Sequence, residues 1–207
     1  VVAGGGSSSP PPGELLAVAC RRRCSGRESG SQLPVMIGIT LRTASEARPF
    51  WLLVDRAAGL EASSSIRALG YPPHVTLVRY PGASPDLLRD AAGLLETEAP
   101  FSLTFDHVGI FDVDPIVLWL SPQRDRRLVG LHAKIHRVVD PALCDPHYRP
   151  EQWRPHLTLA MAIPRTERER ALALVAQRFE PFSLVFDVAE CVAWPPIRVL
   201  STLRLGG

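Results

Sequence analysis

A proline, a histidine, an apolar residue, a threonine and a leucine occur in that order twice, in "YPPHVTLV" from Tyr71 and "WRPHLTLA" from Trp153, with His74 and His156 82 residues apart. The chain holds 6 His and 20 Pro among 207 residues, so composition alone would give about 0.02 copies of Pro-His-x-Thr. Two copies call for a cause. The apolar flanks, and a proline that suits the first position of a strand, predict a β-strand at each motif. Residues i and i+2 of a strand share a face, which pairs His74 with Thr76 and His156 with Thr158 and turns Val75, Leu77, Leu157 and Leu159 to the core.

Two imidazoles across one groove suit acid/base work near neutral pH, because the unperturbed histidine pKa lies at about 6.5. Threonine hydroxyls add donors for a phosphoryl oxygen and for the charge that grows on it. Together these are the parts for metal-free attack on a phosphodiester. One histidine takes a proton from water or a ribose hydroxyl, and the other protonates the departing oxygen. A lone histidine on a strand is more often a structural residue satisfied by a local hydrogen bond, but the matched pair reverses that preference. Two His and two Thr also lack the carboxylate or thiolate that zinc usually recruits.

The elements around the motifs repeat with them. After the first comes "SPDLLRDAAGLLETEA" and then "PFSLTFDHVGIF" from Pro100; after the second comes "RTERERALALVAQRFE" and then "PFSLVFDVAECVAW" from Pro181. Ser84 with Pro85 and Asp86 marks one helix start, and Thr166 with Glu169 reads as a capping box for the other. Each "FSL(T/V)FD" alternates with period two, as a half-buried strand does, and "IVLWL" and "RVLSTLRL" supply a further strand apiece. Ahead of the motifs lie a strand, "VMIGITL", and two helical stretches, "ASEARPFWLLVDRAAG" and "DRRLVGLHAKIHRVVD". The period is too long for a solenoid unit and reads as a duplicated lobe. The expected fold is α+β and bilobal, with two pseudo-two-fold-related lobes whose antiparallel sheets face a central cleft, helices outside.

Composition bounds the rest. With 46% apolar residues the chain can bury a sizeable core, and 23 basic against 21 acidic side chains leave a net charge of +2, too little for broad attraction to duplex nucleic acid. A nucleic-acid substrate should be short or held by its end. No apolar run is long enough to span a membrane. Cys20, Cys24, Cys144 and Cys191 have neither zinc-knuckle spacing nor scaffold density, which fits a cytoplasmic protein. Residues 1–32, rich in Gly, Ser, Pro and Arg, read as a disordered tail or an over-extended start, since Met36 lies just inside the first apolar run.

The paired histidine-apolar-threonine-apolar motifs, each followed by a helix and a strand, resemble the two-histidine (2H) phosphoesterase superfamily, and within it the bacterial 2′-5′ RNA ligase (LigT-like) and cyclic phosphodiesterase branch. The resemblance covers residues 33–207. It implies a two-lobed fold without metal or other cofactor, and substrates such as RNA 2′,3′-cyclic phosphate ends, 2′-5′ linkages or small cyclic nucleotides. It further implies His74 and His156 as the acid/base pair and Thr76 and Thr158 as phosphate-holding hydroxyls. A monomer is expected, with no membrane partner. The alternatives are a reversible RNA 2′-5′ ligase using the same groups in reverse and a nucleotide-binding module without turnover.

Other side chains are weaker candidates. Arg154 precedes His156 by two and so shares its face, where it could pair with phosphate. Arg79 follows His74 by five, at a position where some relatives carry a phosphate-contacting arginine after their second motif, but ideal alternation would turn it to the opposite face. Tyr71, Trp153 and Phe111 could stack on a base, although aromatic residues more often pack. His132 and His136 have metalloprotease spacing, yet Ala133 stands where that motif needs Glu. With Leu128, Leu131, Ile135 and Val138 as the buried stripe, both histidines are expected at its margin or in solvent. His107 and His147 are given no catalytic role.

Overall fold

The computed structural model describes residues 35–206, so the tail reading of residues 1–32, with Cys20 and Cys24, lies outside the described residues. Eight strands form two antiparallel sheets. The first has the order β2 (His74–Pro81), β1 (Met36–Arg42), β7 (Val188–Trp194), β8 (Arg198–Arg204); the second runs β5 (Leu157–Ile163), β4 (Ile116–Pro122), β3 (Phe101–Phe111), β6 (Phe182–Phe186). The two motif strands are therefore the edges of their sheets, and β2 and β5 touch each other.

Each sheet buries one face of alternating apolar residues. In the first, Ile37, Ile39, Leu41, Ala189, Cys191 and Ala193 join a single core, and the residues between them, Thr40, Glu190 and Val192, turn the other way. Helix α3 (Pro85–Gly93) covers that core face with Leu88, Ala91 and Ala92 buried. It starts after Ser84 with Pro85 in its first turn, as read from the sequence. Burying such side chains contributes roughly 1.5–3 kcal/mol for each large aliphatic one.

The halves of the sequence are not the lobes. The strand that follows the last helix of the first half, β3, joins the sheet of the second half beside β4 and β6, while the fourth strand of the second half, β7, pairs with β1 in the sheet of the first. The crossing between sheets falls at Asp187, between β6 and β7. Its carboxylate accepts from the Ala44 amide at 2.8 Å and from Arg204 at 3.0 Å, and its carbonyl accepts from Leu205. Helices cross too. Helix α1 (Arg48–Ala58) and the short α2 (Ser65–Ala68) pack on β5, while α4 (Arg126–Ile135) packs on β2.

Two local expectations are corrected. Helix α5 (Arg168–Val175) has Glu167 at its N-cap with no side-chain cap, so Thr166 and Glu169 form no capping box; a 3₁₀ turn at Arg165–Glu167 takes up the start instead. On the α4 side, the helix ends at Ile135, which turns Val138 outward at 52% exposure and buries Val139 in its place. His132 is buried at 3% rather than marginal. Among the described residues, no helix is long and apolar enough to cross a membrane.

Candidate active site

The edge strands β2 and β5 carry the same irregularity. In β2, Thr76 pairs with Thr40 and Val78 with Ile39; in β5, Thr158 pairs with Trp119 and Ala160 with Leu118. Leu77 and Leu159 are thus the extra residues of two β-bulges at equivalent positions, and both are fully buried. A bulge reverses the alternation beyond it. Arg79 therefore comes back to the face of His74 and Thr76, contrary to the ideal-strand expectation, and its counterpart in β5 is Met161.

His74, Thr76, His156 and Thr158 all line one cavity of about 530 Å³, together with Arg79, Tyr71 and Tyr148. Both imidazoles are held alike. His74 Nδ1 lies 2.9 Å from the Pro72 carbonyl oxygen and His156 Nδ1 lies 2.7 Å from that of Arg154. A carbonyl accepts only, so each Nδ1 donates, and the free lone pair of the neutral ring sits on Nε2. Burial, helped by the charge His156 can carry, lowers the His74 pKa to about 4 against the pull of the Pro72 carbonyl and of Glu190. His156 is lowered by burial and by the Arg79 cation. Both rings are accordingly neutral at pH 7 in the free protein.

Behind His74 lies a buried polar network. Tyr71 meets the His74 ring edge-on at 4.8 Å, and its hydroxyl donates to Glu190 Oε2 at 2.6 Å and lies 2.8 Å from Thr40 Oγ1. Glu190 also receives Arg42 at 2.8 Å and Thr202 at 3.0 Å. Burial alone would raise its carboxyl, but these donors outweigh that and hold it low. Tyr71 is itself buried at 7% exposure, with its hydroxyl raised by burial and by Glu190. Tyr71 thus ties His74 to this network while also lining the cavity.

Around His156 the neighbours are aromatic. Phe111 stacks on Trp119 at 5.1 Å, and the two rings lie 5.5 Å and 5.8 Å from His156. Gly109 makes room for this: a Cβ there would sit 2.3 Å from the Trp119 ring. Trp119 occupies the position that Thr40 holds in the other sheet, each being the residue paired with the motif threonine.

Arg79 is buried at 3% and pairs with Asp145 through Nε at 2.9 Å and through its terminal nitrogen, with its guanidinium 5.1 Å over the Tyr148 ring. Tyr148 was missed by sequence reasoning, which weighed only His147 in the loop "CDPHYRP". Its hydroxyl engages the Thr76 side chain, and its carbonyl receives His132 Nε2 at 2.9 Å and His136 Nε2 at 3.1 Å. The two helix histidines thus anchor the floor of the site. Trp153 lines neither cavity; it stacks on His132 at 4.0 Å and donates to the Thr76 carbonyl at 3.0 Å, so it is packing. Arg154 is exposed and lines a smaller cavity of about 380 Å³ that shares His156 with the first and is also lined by Phe111. His107 is exposed beside Asp106, away from both cavities. Among the described residues, no three or more His, Cys, Asp or Glu side chains converge as a metal site.

The model of the 2'-5' RNA ligase superfamily matches residues 44–194, a stretch that includes both motif strands. The chain belongs to the 2′-5′ RNA ligase superfamily. Solved structures with this fold include a phosphoesterase, 18% identical, covering 84% of this chain and 99% of its own, with a TM-score of 0.56. Escherichia coli LigT complexed with NADP+ is 18% identical with a TM-score of 0.53 over 84% of this chain and 99% of its own. A Thermus thermophilus protein, TT0787, is 19% identical with a TM-score of 0.53 over 83% and 98%. These structures share the fold with this chain. No curated protein sequence matches it.

Proposed function

We propose that the protein is a metal-independent phosphodiesterase acting on RNA 2′,3′-cyclic phosphate ends, 2′-5′ linkages or small cyclic nucleotides. The observation that carries this reading is that both His-Thr pairs line one cavity with each Nδ1 tied to a carbonyl two residues earlier. Each ring then presents Nε2 as its working nitrogen. As a neutral ring it accepts a proton there, and as a cation it donates one there.

In ring opening, one neutral imidazole removes a proton from water as the oxygen attacks phosphorus. The bond to the 2′ or 3′ ribose oxygen breaks, and that oxygen takes the proton of the other, protonated imidazole. Arg79 is the cation of the cavity wall; with Thr76 and Thr158 it holds the non-bridging oxygens, whose charge grows in the transition state. A bound phosphate also offsets the Arg79 field that lowers His156, so the acid gains its proton as substrate binds. The cavity offers two histidines and two threonines without a converging carboxylate or thiolate, a donor set that suits protons better than a metal ion.

The test is hydrolysis of 2′,3′-cyclic nucleotides with EDTA present. Turnover unaffected by EDTA supports the reading, and turnover that depends on an added divalent ion overturns it. An oligoribonucleotide with a 2′,3′-cyclic end, supplied with and without a 5′-hydroxyl strand, separates hydrolysis from ligation. Nucleotide binding without turnover in any of these assays would make the fold a binding module.

A further inference from the structure

Strand β5 departs from β2 in one respect beyond the bulge they share. From Ala160 to Ile163 it advances three residues while β4 advances two, from Leu118 to Ile116, so a second irregularity falls at Met161 and Ala162. Strand β2 pairs regularly with β1 at the matching place, Arg79 and Tyr80. Irregular pairing takes amides off the ladder, and a half-buried N–H then needs another acceptor. Glu61, in the turn between α1 and α2, supplies it. Its Oε1 accepts from the Met161 amide at 3.0 Å and the Ala162 amide at 2.7 Å, and the same carboxylate accepts from the Ser65 amide at 2.8 Å and the Ser65 hydroxyl at 2.7 Å. The Ser65 hydroxyl oxygen accepts in turn from the Met161 amide at 3.0 Å. One carboxylate thus ties α2 to the unpaired edge of a motif strand.

The other half holds the same position with a different carboxylate residue. Met161 is the counterpart of Arg79, whose carbonyl accepts from the Asp145 amide at 2.8 Å and whose head is held by the Asp145 carboxylate. Glu61 lies on the chain that leads into β2 and clamps β5; Asp145 lies on the chain that leads into β5 and clamps β2. Each motif strand is therefore fixed by the lead-in to the other. The segment that Glu61 docks also walls the larger cavity, which Ser63, Ile66, Ala68 and Leu69 line together with Met161 and Ala162. We propose that Glu61 is a positioning residue for substrate binding, which fixes this wall by holding α2 against the edge of β5. The proposal rests on the phosphodiesterase reading only for what the wall meets, a nucleotide. Bonds to an ionised acceptor are the short, strong kind, and Glu61 gathers four of them between the turn and the strand. The other polar tie on α2, Arg67 with Asp55, joins two exposed side chains and runs to α1 rather than to β5. Such surface pairs contribute little, so Glu61 is the polar contact that sets the wall.

The experiment measures kcat and KM for adenosine 2′,3′-cyclic phosphate and the dissociation constant of adenosine 3′-monophosphate, in wild type, Glu61→Ala and Glu61→Gln, with denaturant unfolding of each. Glu61→Ala should raise KM and the dissociation constant by about 10- to 100-fold, as a group misplaced by about 1 Å can, and leave kcat within a few-fold. Glu61→Gln, which keeps one acceptor oxygen, should raise both constants by less. A Glu61 that served stability alone would instead reduce the folded fraction, lowering apparent kcat at unchanged KM. That outcome, or a Glu61→Ala variant whose KM and affinity match wild type, overturns the proposal. If Glu61→Ala does not fold, Glu61→Gln decides: a several-fold rise in KM keeps the proposal and an unchanged KM removes it. If the wild type binds the monophosphate but turns over no cyclic phosphate, the phosphodiesterase reading fails and affinity decides alone, weaker binding by the variants keeping the proposal and equal binding removing it. A wild type that neither binds nor turns over a nucleotide removes both.

Discussion

The two motif strands are alike in backbone and unlike in surroundings. Both sit at a sheet edge, both bulge at the leucine after the threonine, and both tie the histidine Nδ1 to the carbonyl two residues before it. Around His74 the chain places a buried polar network of Tyr71, Glu190, Arg42 and Thr40; around His156 it places Phe111 and Trp119. Three residues beyond each threonine, one strand has Arg79 and the other Met161. The backbone devices that aim a ring are thus duplicated, while the charge that would meet a phosphate comes from one side only. Under the proposed reaction the geometry would be symmetric because proton transfer is needed at both ends, whereas one cation would serve the phosphate.

The largest effects test the symmetric part. His74→Ala and His156→Ala should each lower kcat/KM by about 10²–10⁴-fold. The double variant should lose little more than the worse single one, since groups acting as a unit are not additive. Full activity in either single variant would leave that strand with no part in the chemistry. Next comes the asymmetric part. Arg79→Ala should cost on the order of 10²-fold in kcat/KM. It should also destabilise the fold by about 3–5 kcal/mol, because it leaves Asp145 buried and unpaired. Met161→Ala, at the matching position, should change kcat/KM by less than a few-fold. Equal losses at the two positions in a cyclic-nucleotide assay would erase the distinction drawn between them.

The smallest effect compares the rings beside each histidine. Tyr71→Phe removes a donor from buried Glu190 and should cost about 1–3 kcal/mol of stability, read by denaturant unfolding, with activity retained to within a few-fold. Trp119→Phe should cost less in hydrogen bonding by the same unfolding measurement, because buried Trp119 Nε1 has no partner to lose among the described residues.

How much of this was legible beforehand follows from what each feature depends on. The strands at His74 and His156, the pairing of each with its threonine, and an α+β fold with two antiparallel sheets come from local pattern and from the repeat, and the sequence carries both in full. The exchange of β3 and β7 between sheets was not legible, because an offset of about 80 residues reports duplication but not which sheet a strand joins. Alternation misplaced Arg79 for a similar reason: a bulge is set by pairing with the neighbouring strand, and nothing in "HVTLVRY" announces the extra residue at Leu77. Tyr148 escaped because it works through its carbonyl and its place under Arg79, contacts that span long stretches of chain. His132 was expected at the margin of its helix because its partner, the Tyr148 carbonyl, lies in a loop with no pattern to read.

The central claim is that two neutral imidazoles, one from each edge strand, share the proton transfer, and the pH profile of kcat/KM for a 2′,3′-cyclic nucleotide tests it most directly. Both rings are neutral in the free protein at pH 7, the reaction needs one of them to carry a proton, and both pKa values are lowered from about 6.5, His74 to about 4. The account therefore predicts a bell whose centre lies on the acid side of about pH 6.5, its two limbs belonging to the pair rather than to either ring. A profile flat from about pH 5 to 9, or one rising steadily toward alkaline pH as a metal-bound hydroxide would give, would contradict it.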